Sequence, residues 1–396
     1  MKLRRRRQSE VPPKIKSFID GVIAAPLENI EEPLRSFFWD FDKLFRKYIK
    51  SRKDLQLEDD FLESDPPFPR ESVLQILRVV RIILDNSTNK HFYSSYEHHL
   101  SSLLASTDAD VVEACLQTLS SFLRKSTGKH IIRDASLNLK LFAFAQGWGG
   151  KDEGLGLVAC ALENVSDPVA HELGSTLHFE FYENSAAEKS TQGLQIIHLP
   201  KINTCEKSDL ELMHGLVQDY KVPSNLRFSL LTRLRFSRAF SSFTARQQYT
   251  CIRLHAFIVL VQACGDTDDL VSFFNTEPEF INELVTLLSY EDAVPEKIRI
   301  LSLFSLVALS QDRSRQSTVL TAVTSGGHRG ILSSLMQKAI DSAVSKTKSS
   351  VLFAEALLSL VTVLVSSSSG CSAMREAGFI PTFCLFLKTQ IPSICI

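Results

Sequence analysis

Residues 147–151, Gly-Trp-Gly-Gly-Lys, are the stretch whose composition comes nearest to a phosphate-binding loop. Such a loop follows the pattern G-x-x-x-x-G-K-[ST], in which backbone N–H groups surround the phosphates and a hydroxyl holds Mg²⁺. Ala145 stands where the first glycine is needed, and Asp152 stands where the hydroxyl is needed. The dinucleotide pattern G-x-G-x-x-G does not fit either. We therefore interpret the stretch as a tight turn between two helices and predict no cofactor.

Histidines and cysteines provide no clear metal site or nucleophile. His98 and His99 are adjacent, so on a helix their side chains point apart and cannot share a zinc ion. No H-E-x-x-H, C-x-x-C or G-x-S-x-G pattern is present, and no neighbouring residue marks a cysteine as an activated thiolate. We predict no catalytic residue and no metal ligand. The alternative is a metal site near the middle of the chain, formed by His171, His178, His198 and Cys205.

Arginines alternate with leucines and phenylalanines between residues 226 and 253. One interpretation is a basic groove that binds an acidic peptide or nucleic acid. The other is a set of arginines that form ion pairs between amphipathic helices and cover apolar surface with their stems. The cluster comprises Arg227, Arg233, Arg235, Arg238, Arg246 and Arg253, and the first four are the candidate partner-binding residues.

A second basic run, Arg4-Arg5-Arg6-Arg7, lies at the N-terminus. It is either a solvated, disordered terminus or a nuclear-localisation or nucleic-acid-binding patch. The formal net charge of the whole chain is only −1, so no overall field attracts it to nucleic acid or membrane. The candidate nuclear-localisation residues are Arg4, Arg5, Arg6 and Arg7.

The composition is that of a folded protein, with 44% hydrophobic and 22% charged residues among 396. The eight cysteines form no C-x-x-C pair, which favours buried, reduced thiols in a cytoplasmic or nuclear protein. No apolar run approaches the length that spans a bilayer, so we predict no membrane partner. The N-terminus has no apolar segment typical of a secretory signal.

Three leucine-rich segments near the C-terminus resemble one another. Ile281, Ile331 and Ile380 lie 50 and 49 residues apart, and each is followed by apolar residues at helical spacing. A helical unit that recurs at this length predicts an α-solenoid. Upstream, Asp108 or Thr107 is expected to begin a helix whose buried face starts at Val111.

Two short segments interrupt the helical pattern. Residues 177–182 alternate apolar and polar side chains with period two, and residues 194–199 nearly do so. A polar loop separates them, which predicts a β-hairpin. Insertions into solenoids lie on one face and often bind partners.

The sequence thus predicts an all-α, armadillo/HEAT-like α-solenoid with a small β-hairpin insertion near 177–199. We expect a loop at 366–370, a last helix over 374–388 and loss of the helical pattern from residue 389. The predicted organisation is a basic disordered tail at 1–16, N-terminal helices with an acidic, proline-rich linker at 17–69, first repeats at 70–175, the hairpin insertion at 176–206, further repeats at 207–388 and a non-repeat tail at 389–396.

Five long runs, residues 68–78, 90–100, 226–235, 247–253 and 290–299, carry a family resemblance. They resemble the extreme N-terminus of the giant plant HECT-type ubiquitin-protein ligases, relatives of the HUWE/Tom-type ligases. The resemblance covers nearly the whole chain and implies an armadillo-like arm that collects substrates. It also implies that ubiquitin transfer belongs to a C-terminal HECT domain, outside this chain. Cys384 does not stand in that domain's catalytic context.

The resulting hypothesis is a non-catalytic scaffold that binds protein substrates or other segments of the ligase and meets ubiquitin only indirectly. The alternative is a free-standing adaptor that binds nucleic acid or acidic partners through its basic patches. The chain is shorter than the family pattern between Lys43 and Leu44, and residues 384–396 look foreign to it. We therefore expect a truncated or alternatively spliced product.

Overall fold

The computed structural model describes residues 70–86, 97–123, 135–146, 156–162, 172, 174–182, 193–263, 267–290, 292–324, 330–344 and 351–394. These residues form sixteen α-helices and one two-stranded antiparallel sheet. The all-α solenoid with a small β-hairpin is thereby confirmed. The Arg4–Arg7 run, the predicted linker up to residue 69 and the predicted turn at 147–151 lie outside the described residues.

The chain divides into two compact units, Met1–Leu141 and Phe142–Ile396. In the first unit, Thr118 of α3 (Ala109–Leu123) donates its hydroxyl to the carbonyl of Leu77 in α1 (Arg70–Asn86) at 3.4 Å. Asp108 caps α3 by accepting from the N–H of Asp110 at 3.0 Å, as predicted. Arg70 bonds Asp108 and Asp110, and these contacts raise the pKa of Arg70. The helices are α1 (Arg70–Asn86), α2 (Glu97–Leu103), α3 (Ala109–Leu123) and α4 (Ala135–Ala145), the last of which ends in the second unit.

The second unit begins with a short helix and the hairpin. Strands β1 (Leu177–Tyr182) and β2 (Leu194–Leu199) pair in the register Leu177↔Leu199 to Tyr182↔Leu194. Their bounds match the two alternating segments of the sequence. Around them lie α5 (Leu157–Ala161), a 3₁₀ turn (Ile202–Thr204), α6 (Asp209–Tyr220), α7 (Ser224–Ala239) and α8 (Phe243–Ala263).

The rest of the second unit repeats every three helices. Ile281, Ile331 and Ile380 fall in α10 (Phe280–Ser289), α13 (Gly330–Val344) and α16 (Phe379–Ile394), the second helix of successive repeats. The third helices, α11 (Glu296–Ser310) and α14 (Val351–Leu364), pack in a row that continues from α8, and α16 packs on α13. The helices are α9 (Thr267–Thr276), α10 (Phe280–Ser289), α11 (Glu296–Ser310), α12 (Arg313–Thr324), α13 (Gly330–Val344), α14 (Val351–Leu364), α15 (Ser368–Glu376) and α16 (Phe379–Ile394).

Three expectations about helix ends near the C-terminus differ from the structure. Ser367 accepts from the N–H of Gly370 at 3.1 Å and caps α15, so the loop predicted at 366–370 ends where this helix begins. Gly378, with φ of 68°, separates α15 from α16, which the prediction joined into one helix. The pattern predicted to fade from residue 389 continues as helix to Ile394. Phe386, fully buried, fixes that helix against its neighbours.

No single described helix is long and apolar enough to span a membrane. The bent pair α14 and α15 meets the length and composition criteria only when taken together, with an angle of 116° between the two.

Arg253 of α8 is the largest fully buried side chain among the described residues. Its Nε donates to the carbonyl of Ala145 at 3.0 Å, which satisfies a carbonyl at the end of α4. Its terminal nitrogen lies 3.2 Å from the carboxylate of Glu277, and its guanidinium lies 5.3 Å from the ring centroid of Phe280. One arginine therefore joins α4, α8 and the junction of α9 with α10.

Glu283 of α10 holds the short helix α5 in place. Its carboxylate accepts from the N–H of Leu157 at 3.2 Å, at the start of α5. A Cβ at Gly156 would lie 1.5 Å from Oε1 of Glu283, so a larger residue there would displace this carboxylate. Burial raises the pKa of Glu283, while Arg253 and the backbone N–H groups at the start of α5 lower it in part.

The Arg253→Ala substitution is expected to lower the free energy of unfolding by about 3 kcal/mol, because it removes the ion pair with the partly buried Glu277 and the hydrogen bond to the Ala145 carbonyl. Arg375→Ala, at an exposed position of α15, is the control and is expected to change it by no more than about 0.5 kcal/mol. Urea unfolding followed by circular dichroism measures both. Equal effects of the two variants would contradict a structural role for Arg253.

Glu283 is expected to make stability depend on pH. Because its pKa in the folded chain is raised, its contribution is present below the ordinary value of 4.5 and is lost as pH rises through the folded value. We compare the free energy of unfolding of the natural chain with that of the Glu283→Gln variant. The natural chain should lose stability relative to the variant as pH rises from 4.5. Urea titrations across pH measure the difference, with the exposed Glu355→Gln as the charge-matched control. A rising difference would contradict this assignment.

Candidate partner-binding surface

The inner face of the hairpin is part of a hydrophobic core. Leu177, Phe181 and Ile197 are buried against helices α6 and α7. Strand residues of one face recur every second position, so these three share the side that faces the helices. Their buried partners are Ile202, Met213, Leu216, Val222, Leu230, Leu231 and Leu234.

Polar contacts fix the two helices beneath the hairpin. Ser208 and Glu211 form a capping box at the start of α6, with Glu211 N–H donating to the Ser208 hydroxyl at 3.2 Å. Hydrogen bonds from Ser208 hold the pKa of Glu211 below its ordinary value. Ser237 of α7 donates to the carbonyl of Thr176, just before β1, at 3.2 Å. The hairpin is thus attached to α7 by hydrogen bonding as well as by apolar packing.

The outer face of the hairpin exposes large apolar side chains. Tyr182, Leu194 and Ile196 are 59%, 47% and 45% exposed. Tyr182 and Leu194 lie directly opposite each other, and Ile196 lies opposite the exposed Glu180. We call these four residues, with the next cross-strand pair His178 and His198, the outer hairpin face. Apolar residues beside charged ones on a rigid support are typical of protein-binding surfaces.

The structure places the four candidate arginines in contacts within the chain. Arg235 and Arg238 lie 3.6 and 3.1 Å from the carboxylate of Asp209, and Arg238 also bonds the carbonyl of Lys207. Arg227 donates to the carbonyl of Val222 at 3.2 Å, and Arg233 is buried. These contacts brace α6 against α7. Partner binding through Arg227, Arg233, Arg235 and Arg238 stays a prediction.

The two remaining arginines of the cluster lie in the interior. Arg246 donates to the carbonyls of Phe240 and Leu162, at 2.6 and 3.3 Å, and burial lowers its pKa. Arg253 makes the contacts described above. Both therefore support packing between helices.

The two described thiols with a shifted pKa, Cys115 and Cys160, are not activated as nucleophiles. Burial raises the pKa of Cys160 to about 11 and raises that of Cys115 above any physiological pH. An activated nucleophile needs the opposite shift. Among the described residues, no group of three or more His, Cys, Asp and Glu is arranged to hold a metal ion. His171, part of the metal site considered from the sequence, lies outside those residues.

The alternating pattern of residues 177–199 predicts the hairpin, but the exposed apolar side chains of its outer face were not predicted. The signal was available, because period-two alternation puts Leu194, Ile196 and Tyr182 on the face that is usually polar in a half-buried hairpin. No pattern in the sequence indicates that Asp209 pairs with Arg235 and Arg238, because this pairing depends on how α6 and α7 pack.

Ile197→Ala is expected to lower the free energy of unfolding by about 2–5 kcal/mol, because it empties space in the core beneath the hairpin. Its neighbour Ile196→Ala is the matched control and is expected to change it by no more than about 0.5 kcal/mol, because Ile196 lies on the exposed face. Urea unfolding and hydrogen exchange of the hairpin amides measure both. A larger loss for Ile196→Ala would mean that the two faces are assigned the wrong way round.

Comparison with known families gives a match over most of the chain. Residues 69–192 and 180–341 match the family described as Domain of Unknown Function (DUF908). The match includes the described helices from α1 to α12, the hairpin and the outer hairpin face.

The chain is also similar to much longer proteins. It is 66% identical over 409 aligned positions, 99% of its length, to the E3 ubiquitin-protein ligases UPL1 and UPL2 of Arabidopsis thaliana. It is 29% identical over 80% of its length to the E3 ubiquitin-protein ligase HUWE1 of Mus musculus. The chain spans only 11% of the plant relatives and 7% of the mouse one. In the plant relatives the matched part is a small N-terminal one.

Proposed function

This chain belongs to the DUF908 family, and from that premise we propose that it is a partner-binding scaffold in the N-terminal region of an E3 ubiquitin-protein ligase of the HECT type. The observation that carries the proposal is the 66% identity to the plant ligases along 99% of the chain. Identity at this level along nearly the whole length supports the same fold and the same place in a larger protein. The activity of the larger protein is part of the proposal.

In this proposal the chain binds and does not catalyse. Ubiquitin transfer would take place in a HECT domain elsewhere in the ligase, on a cysteine that forms a thioester with ubiquitin. The burial of Cys115 and Cys160, which raises the pKa of both thiols, supports this division. Cys384 is exposed on α16, and its neighbours Phe383 and Leu385 provide no base. The chain would meet ubiquitin only through the substrates that it brings to the catalytic domain.

The outer hairpin face supplies the proposed contact with protein partners. Tyr182, Leu194 and Ile196 together offer an aromatic and two aliphatic side chains held on a fixed support, and clustered apolar anchors of this kind dominate binding energies. Partners would be substrates or other segments of the same ligase, in the cytoplasm, the nucleus or both. Arg235 and Arg238 already face Asp209, so we draw no nucleic-acid function from them.

The Tyr182→Ser, Ile196→Ser double variant is expected to weaken partner capture at least about tenfold, which corresponds to a loss of 1.4 kcal/mol in binding. The experiment introduces the variant into a full-length plant ligase that carries this segment. Mass spectrometry then quantifies the proteins captured by the ligase and the ubiquitinated sites that depend on it. The proteins that the variant no longer captures should be the same proteins whose ubiquitination falls. Formation of the ubiquitin thioester on the ligase should stay unchanged.

The control is Val351→Ser with Leu352→Ser, which removes two exposed apolar side chains at the start of α14. It is expected to leave captured proteins and their ubiquitination unchanged. Two results would overturn the proposal. One is a double variant at the hairpin that ubiquitinates the same proteins as the natural ligase. The other is a ubiquitin thioester formed by the 396-residue chain alone with E1 and E2 enzymes.

A further inference from the structure

Two histidines face each other across the hairpin. His178 of β1 and His198 of β2 are direct partners in the strand register, and their Nδ1 atoms are 3.5 Å apart. The ring centroids are 5.8 Å apart and the ring planes meet at 76°. Directly opposed residues on one face of an antiparallel pair have Cβ atoms about 4.5–5.5 Å apart, which lets two imidazoles converge on one point. Both lie on the outer hairpin face, where His198 is exposed.

Glu180 sets the tautomer of His178. The Nε2 atom of His178 lies 2.9 Å from Oε1 of Glu180. A carboxylate only accepts hydrogen bonds, so Nε2 must carry the hydrogen in this contact. In neutral His178 the lone pair therefore lies on Nδ1, the atom that points to His198. Histidines that bind a metal usually donate their other ring N–H to a carboxylate or carbonyl in the same way.

The distance between the two Nδ1 atoms fits a shared zinc ion better than a hydrogen bond. Zn–N bonds are about 2.0–2.1 Å, so two of them at the tetrahedral angle place their nitrogens about 3.3–3.4 Å apart. Hydrogen bonds donated by N–H groups usually measure about 2.7–3.2 Å, so the observed 3.5 Å is long for one. A shift of about 0.1–0.2 Å would bring the two nitrogens to the separation that zinc requires, given the same bond lengths.

We propose that His178 and His198 bind a zinc ion on the outer hairpin face, with Glu180 as the residue that orients His178. The two histidines supply two ligands and water supplies the others, so the ion exchanges with solvent and leaves coordination positions open. The zinc site lies on the surface proposed above for partner binding, but zinc binding does not depend on that function.

The test is isothermal titration of Zn²⁺ into the full chain carrying Cys371→Ser and Cys384→Ser, which remove two exposed thiols that would compete for zinc. The natural hairpin in this background is expected to bind one more zinc ion than either His178→Ala or His198→Ala. Glu180→Gln should keep that ion but bind it about tenfold more weakly, as is usual when the residue that orients a metal-bound histidine is removed. His214→Ala, at an exposed position of α6, is the control and should change nothing.

Circular dichroism and urea unfolding of each variant report whether the hairpin remains folded. If an alanine variant unfolds, His178→Gln and His198→Gln replace it, since glutamine keeps a polar side chain on the strand. The proposal is overturned if zinc binds with the same stoichiometry and affinity to the natural chain and to the His198 variants. It is equally overturned if the natural chain binds no more zinc than the His178 variants.

Discussion

The buried guanidinium of Arg253 is the interaction on which the second unit depends. Burying a charge is costly unless it is paired and hydrogen-bonded, and Arg253 meets both conditions with Glu277 and the carbonyl of Ala145. Its contacts reach the end of α4 and the junction of α9 with α10, while α8 itself begins the row of third helices. The nearby Glu283 adds α5 to the same group through its hydrogen bond with Leu157. Hydrogen bonds and ion pairs depend on direction as well as distance, so the cluster restricts how the first helices of the unit pack.

The hairpin depends on the helices beneath it, because an isolated two-stranded sheet is only marginally stable in water. Its inner face obtains stability from the leucines of α6 and α7, and the Asp209 pairs with Arg235 and Arg238 keep those helices together. The outer face is then left with side chains that contribute little to folding, including Tyr182 and Ile196. Residues on such a face are constrained mainly by what they bind, which is why we assign recognition to it.

Local patterns in the sequence predicted much of this fold. The period-two segments gave both strands with their observed bounds, and the spacing of Ile281, Ile331 and Ile380 gave the repeat. The helical pattern of α12 is weak, because its first half is polar and, among its described side chains, only Val319, Leu320 and Val323 are buried. The roles of the arginines could not be derived, because whether an arginine meets solvent, a partner or an internal carboxylate depends on packing between distant segments. The outer hairpin face was predicted only in part. The alternating sequence pattern indicates which side chains share this face, but it does not show that they are exposed to solvent.

All buried members of the hydrophobic cluster beneath the hairpin lie between Leu177 and Leu234. The outer hairpin face and its support are therefore contiguous in the sequence. The side chains of the outer hairpin face are not part of this core, so they can change without repacking it. In a ligase that recognises partners through this face, specificity can therefore change while the helical architecture is kept.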